Sequence, residues 1–257
     1  MPRPPSLPAE FGTHSLPVDR DLFSELSASV AWEELGKGRR GAVLTRVDGS
    51  GAVPLVRTTT RYGSPAQRFR PLHEELARLV QECAALPRAL DNALVELYTN
   101  AYATMGAHSD QALDLAEDSH VAVLSCYRFP EPVPSRKLIV EPKDPADGER
   151  FEIPLAHHGV VTFSTTANRR FRHRIVLDRS ARTPDNLWLG VTFRSSKTAV
   201  RYRDGHAHLP DGSRLLLADE EQQRAFHLLR RRENQETDFD YPRLAHTVSA
   251  SDLLPPV

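Results

Sequence analysis

The stretch "YATMGAHSDQALDL" (residues 102–115) sets a histidine and an aspartate two positions apart, just after a turn. In extended chain, residues two apart project to the same side, so His108 and Asp110 can hold one metal ion between them. A third ligand candidate stands far downstream in "FRHRIVL" (residues 171–177). If that segment is a strand, Phe171, His173, Ile175 and Leu177 share an apolar face, while Arg172 and Arg174 point the other way. Two histidines and one carboxylate, with coordination positions left open, suit non-haem Fe(II) that activates oxygen. His108, Asp110 and His173 are therefore read together as metal ligands and catalytic centre.

The chain around these positions is written in short strands. "NALVELYTNAY", "SHVAVLSCYRF", "RKLIVEP", "RFEIPL", "GVVTFS", "RFRHRIVL" and "NLWLGVTFR" are rich in β-branched and aromatic residues and are bounded by Gly, Pro, Asn and Asp. Two helices precede them. One starts near Asp21, a plausible N-cap, and runs into "WEEL"; the other starts at Pro71 with Leu72, Leu76, Leu79 and Val80 on one face. Closely spaced strands after two helices predict a mainly β, α+β chain. The strands form an antiparallel sandwich or barrel with helices on one side.

Residues 1–20 are proline-rich and read as an irregular leader, and residues 21–198 as the main domain. Residues 199–257 form an extension with Asp-Gly hairpin turns in "RYRDGHAHL" and "LPDGSRLLL". A helix follows there, with Asp219 and Gln222 spaced as a capping box. The 257 residues carry a formal net charge of −1, which gives no basic excess to draw the whole protein onto nucleic acid. Two cysteines, Cys83 and Cys126, make neither a disulfide framework nor a zinc pattern. There is no signal-peptide run and no stretch of about 18 apolar residues. The expectation is a soluble cytoplasmic protein without membrane contact; the sequence gives no oligomeric state.

The order of these motifs resembles the Fe(II)/2-oxoglutarate-dependent oxygenases, and most closely their AlkB-like branch, from about residue 54 to 197. "AHSD" matches the His-x-Asp ligand pair, and "GVVTFSTTANRRFRH" the strand leading to the distal histidine. "NALVELYTNAY" is similar to the segment carrying an Asn-x-Tyr pair, here Asn100 and Tyr102. "LWLGVTFR" resembles the closing strand with its Thr-Phe-Arg ending. The resemblance implies a double-stranded β-helix, or jelly-roll, barrel with N-terminal supporting helices and a C-terminal extension. It also implies Fe(II), 2-oxoglutarate as cosubstrate and O2. Arg194 becomes the main carboxylate anchor, with Asn100 and Tyr102 as helpers. Two positions depart from the branch: Trp188 and Gly190 stand where it has an Arg and an Asn. One cosubstrate clamp is thus missing or supplied elsewhere, with Arg128, Arg179, Arg182 and Lys197 as candidates.

By strand parity Trp188, Gly190, Thr192 and Arg194 share a face, and a lone cation inside a barrel needs an anion such as the 2-oxoglutarate carboxylate. For the substrate, two enzymatic readings stand open. One is oxidation of a small molecule or amino-acid side chain, with Asp114 pairing to a cationic group and Arg128 also in reach. The other is oxidative demethylation of alkylated nucleic acid, suggested by the run Arg169, Arg170, Arg172, Arg174. An acidic stretch, Asp114, Glu117 and Asp118, speaks against phosphate at the pocket mouth. The neutral charge and the 7% aromatic content favour the small molecule. A third reading is a metal-binding β-barrel without redox activity; His157 and His158, adjacent and expected to point oppositely, do not supply its histidine cluster.

Overall fold

The computed structural model describes residues 7–178 and 185–257. Its strands are β1 (Phe11–Ser15), β2 (Glu33–Gly36), β3 (Arg39–Thr45), β4 (Val53–Leu55), β5 (Gln67–Arg68), β6 (Asn92–Tyr98), β7 (His120–Tyr127) and β8 (Arg136–Pro142). They continue with β9 (Phe151–Pro154), β10 (Gly159–Ser164), β11 (Phe171–Leu177), β12 (Trp188–Arg194), β13 (Thr198–Arg203), β14 (His206–His208), β15 (Leu216–Leu217) and β16 (His246–Thr247). The helices are α1 (Leu22–Ser29), α2 (Pro71–Cys83), α3 (Thr165–Arg170) and α4 (Glu220–Glu233).

One large sheet runs β1-β10-β7-β12-β6-β3-β2, with β5 beside β3; a smaller one runs β11-β8-β9. Alternation along β12 explains how the large sheet is buried on both faces. Leu189, Val191 and Phe193 pack with Leu22 and Leu26 of α1 and Leu76 and Val80 of α2. Trp188, from the other parity, packs with Val121, Val123 and Phe163 against Leu138, Val140, Phe171 and Ile175 of the small sheet. The two sheets thus face each other, with the helices covering the outer face of the larger. Each helix leucine fully withdrawn from water contributes roughly 1.5–3 kcal/mol relative to an exposed one.

Local chemistry sets the helix ends. The Asp21 carboxylate accepts from the Ser24 N–H at 3.0 Å and starts α1. The helix stops at Ser29, and the "WEEL" segment expected to continue it becomes β2, which pairs with β3. Pro71 opens α2, where its missing N–H costs nothing. Asp219 and Gln222 form the reciprocal capping box of α4.

Two expectations are corrected. The leader is not irregular throughout: residues 11–15 are β1, an edge strand in register with β10 from Phe11↔Phe163 to Ser15↔Gly159. Its prolines lie outside the paired run, so they do not block the ladder. The His157 and His158 rings do not diverge; they stack at 3.8 Å. His158 has φ 56°, in the left-handed region, which swings its side chain back over its neighbour.

In the extension, β13 and β14 form a hairpin whose turn residues Asp204 and Gly205 both have positive φ, as a two-residue type I′ turn requires. β13 also pairs with β4, tying the extension to the main domain. No helix among the described residues is long and apolar enough to cross a membrane.

Candidate metal centre

The segment before His108 lies alongside β11 and extends the small sheet. His108 N–H donates to the His173 carbonyl at 3.0 Å, and His173 N–H returns a bond to the His108 carbonyl at 2.7 Å. A reciprocal pair of this kind puts both side chains on one side of the sheet. The two rings lie 4.7 Å apart. Asp110, two positions on, joins them: its Oδ1 is 3.9 Å from His108 Nε2 and 3.6 Å from His173 Nε2. One ligand atom from each of the three lies within 4.8 Å of the other two, and among the described residues no other cluster of this kind exists.

The tautomer suits ligation. His108 Nδ1 sits 2.9 Å from the Gly106 carbonyl, which can only accept, so Nδ1 carries the proton and Nε2 presents a lone pair. Burial, with the neighbouring His173 charge, lowers the His108 pKa to about 4, so the ring is neutral at pH 7. For Asp110, burial pushes its pKa upward, but the Arg194 guanidinium and His173 outweigh this and hold it well below the usual carboxylate range. Asp110 is therefore an anion at neutral pH, as a metal ligand must be.

Arg194, at the end of β12, is 6% exposed and donates from Nε to Asp110 Oδ2 at 2.7 Å. Its Nη1 is buried and has no hydrogen-bond partner among the described residues. Both groups face a cavity of about 310 Å³ whose lining includes Leu94 and Glu96 of β6, Val123, Leu138, Ile175 and Thr192. A larger cleft, about 400 Å³, lies under the C-terminal segment around Phe239 and Tyr241; it contains none of the three ligands, so the smaller cavity is the chemically relevant one.

Other sequence-predicted residues fall in different places. Tyr102 lines the metal cavity, with its ring 4.6 Å from that of Tyr98. Asn100 does not line it: β6 ends at Tyr98, and Asn100 belongs to the turn beyond. The pair that β6 does present inward is Glu96 and Tyr98, two apart on the strand, with the Tyr98 hydroxyl donating to Glu96 at 2.7 Å.

Asp114 is not a substrate carboxylate. It is fully buried, and Arg57 takes both its oxygens, Nε to Oδ2 at 2.9 Å and Nη2 to Oδ1 at 2.8 Å. Arg128 is exposed, lies over the Phe129 ring and does not line the cavity. Lys197 is exposed as well and borders other clefts, while Arg179 and Arg182 lie outside the described residues. Glu117 and Asp118 border a separate small cleft rather than the mouth of the metal cavity.

Trp188 and Gly190 account for each other. A Cβ on Gly190 would collide with Cη2 of the Trp188 indole, so the ring lies across the glycine. The space that a longer side chain at 190 would take is filled by the indole.

Two contributors escaped the sequence reading. Asn168 of α3, 2% exposed, accepts from the Asp110 N–H at 2.8 Å and donates to the Asp110 carbonyl at 2.7 Å. Its one signal was its position shortly before His173. Arg39, on β3, lines the cavity and pairs with Glu96. Register shows why: Tyr98 has Trp188 as neighbour on one side and Arg39 on the other.

No family model matches the sequence, and no curated protein matches it. Among solved structures, OsALKBH1 is similar at 14% identity, with 74% of this chain and 98% of that chain covered and a TM-score of 0.48. The non-heme alpha ketoglutarate dependent epimerase SnoN from nogalamycin biosynthesis is similar at 17% identity over 76% and 79% of the two chains, with a TM-score of 0.43. A Pseudomonas putida prolyl-4-hydroxylase is similar at 12% identity over 72% and 92%, with a TM-score of 0.41.

Proposed function

We propose that this protein is an Fe(II)- and 2-oxoglutarate-dependent dioxygenase that oxidises a C–H bond of a small-molecule or amino-acid-type substrate. One observation carries the reading: two imidazoles and a carboxylate converge in a cavity, beside a buried arginine with an N–H that has no partner among the described residues. The donor set leaves coordination positions open, which fits oxygen-activating iron. The orphan Arg194 Nη1 fits a carboxylate oxygen, since an unpaired buried N–H is costly until an acceptor arrives. His108 Nε2, His173 Nε2 and Asp110 Oδ1 would hold the iron. With iron and 2-oxoglutarate bound, the centre supplies C–H oxidation, consuming O2 and releasing succinate and carbon dioxide.

The chain's own residues do the positioning. Gly106 fixes the His108 ring through Nδ1, and Asn168 fixes the Asp110 backbone. Arg194 holds Asp110 with Nε and offers Nη1 to the cosubstrate. Arg39, which reaches the cavity from the far side of β6 with Tyr102 beside it, is the cation we assign to the role absent at Trp188, its charge shared with Glu96. Leu94, Val123, Leu138 and Ile175 supply the apolar part of the cavity lining.

Arginine pairing within the molecule favours a small-molecule over a nucleic-acid substrate. Three of the four arginines in the run are paired within the molecule: Arg169 with Asp240, Arg170 with Glu10 and Asp147, and Arg172 with Glu141. Cations satisfied within the molecule have less to offer phosphates.

The test is an anaerobic titration with Fe(II) and 2-oxoglutarate, following the metal-to-ligand charge-transfer band. The band is expected in the parent, lost in His108→Ala and weakened in Arg194→Ala. A folded, iron-loaded parent without a band would overturn the reading.

A further inference from the structure

The ligand segment loses regular structure immediately after His108, since residues 109–112 belong to no strand or helix. Backbone groups of Ser109, Asp110 and Ala112 nevertheless have side-chain partners, and three of these come from the last turn of α4 and its cap, more than a hundred positions away. Ser109 N–H donates to Asn234 Oδ1 at 2.8 Å. Arg230 Nη2 donates to the Ser109 carbonyl at 2.8 Å. Ala112 N–H donates to Glu233 Oε1 at 2.8 Å. Asp110 lies between these contacts.

The residues used are costly ones to bury. Arg230 is 7% exposed and Glu233 4%, and charged residues are almost never so enclosed unless paired. They are paired with each other, and the Tyr241 hydroxyl donates to Glu233 Oε2 at 2.6 Å. A helix that served packing alone would bury apolar side chains here, because a buried ion pair adds little net stability. What such a pair does supply is fixed geometry. Arg230 also lines the metal cavity, which places α4 at the site itself.

We infer that the last turn of α4 is a positioning element of the metal centre: Arg230, Glu233 and Asn234 hold the backbone around Asp110 so that His108 and Asp110 stand at ligand spacing. This rests on the reading above that His108, Asp110 and His173 bind a metal. The extension is then part of the catalytic apparatus. Partners of this kind around metal ligands alter metal affinity about 10- to 100-fold when removed.

The experiment is a titration of the full-length apoprotein with Co(II), recording affinity and the visible spectrum of the bound ion. Asn234→Ala is expected to weaken binding about 10-fold or more and to shift the spectrum. Asn234→Asp, which keeps an accepting oxygen for the Ser109 N–H, is expected to restore both. Asn234 is only partly buried, so its variants keep the fold, and circular dichroism checks this. Parent-like affinity and spectrum in folded Asn234→Ala would overturn the inference while leaving the metal site standing. A parent that binds no Co(II), or binds it equally well as His108→Ala, would overturn the site reading and the inference with it.

Discussion

Replacing Arg57 with methionine should destabilise the protein by about 3–5 kcal/mol, the cost of leaving a buried charge without its partner. The structure explains why the figure sits there. Asp114 is 0% exposed and accepts three N–H bonds from Arg57, from Nε, Nη2 and the backbone, at 2.8–2.9 Å. Methionine keeps an unbranched apolar stem and the backbone bond but removes the charge and both guanidinium bonds. It also strands the carbonyls of Leu244 and His246, which Arg57 Nη1 reaches at 2.9 and 3.0 Å. Against a typical total of roughly 5–15 kcal/mol, the loss is a large fraction. The assay is urea unfolding at pH 7 of the parent, Arg57→Met, Asp114→Leu and the double variant. The double variant should be more stable than the two single losses predict, by about 2 kcal/mol or more, because the second change removes the stranded charge. A loss under about 1 kcal/mol in Arg57→Met, or strict additivity, would refute the reasoning.

Three further outcomes are expected. His73, 1% exposed, accepts the Arg70 N–H at Nδ1 and meets Ser29 Oγ at Nε2, and burial lowers its pKa to about 4. Between about pH 6.5 and 4 the unfolded chain takes up the proton and the folded one resists, so stability present above that window is lost as pH falls; His73→Gln should flatten that part of a stability-versus-pH curve. Gly190→Ala should cost about 1–3 kcal/mol by forcing the Trp188 indole aside, read as a lowered unfolding midpoint with altered tryptophan fluorescence. Arg39→Gln should remove a charge-assisted bond of roughly 1.5–3 kcal/mol, raising the 2-oxoglutarate concentration for half-saturation about 10- to 100-fold; Co(II) affinity should stay the same, and unchanged saturation would remove Arg39 from the cosubstrate site.

Period-two patterns were legible wherever a strand had one wet and one dry face. β11 shows this directly: His173 and Ile175 are buried and Arg172 and Arg174 half-exposed, as alternation requires. The His108–Asp110 pair was readable as a candidate from its spacing, although what holds Asp110 beside His108, the Asn168 side chain and the end of α4, was not. Asn100 misled because the end of a strand is set by where its neighbours stop, and β12 and β3 both reach only Tyr98. Asp114 misled for a different reason. An aspartate in an acidic loop looks solvated, and its partner Arg57 lies in a segment that only the fold brings near. Arg39 and the α4 contacts were invisible on the same ground: register between distant strands, and a helix returning to a loop, are tertiary facts.

β1 carries a consequence for how the molecule comes to be made. Phe11 sits among Phe151, Phe163 and Phe171, with ring centroids 5.1–5.8 Å away, and every one of those partners is translated long after it. A nascent chain must therefore hold this segment unpaired until β10 has emerged, and the small sheet gains its aromatic wedge only when the two meet. Expression clones trimmed to begin after residue 20 would never reach that stage. They would present the N–H and C=O groups of β10 as a bare edge, with a vacated hydrophobic socket beside it, and such edges recruit strands from other molecules. Inclusion bodies from a shortened clone would then reflect a missing edge strand rather than an unstable core in the rest of the chain.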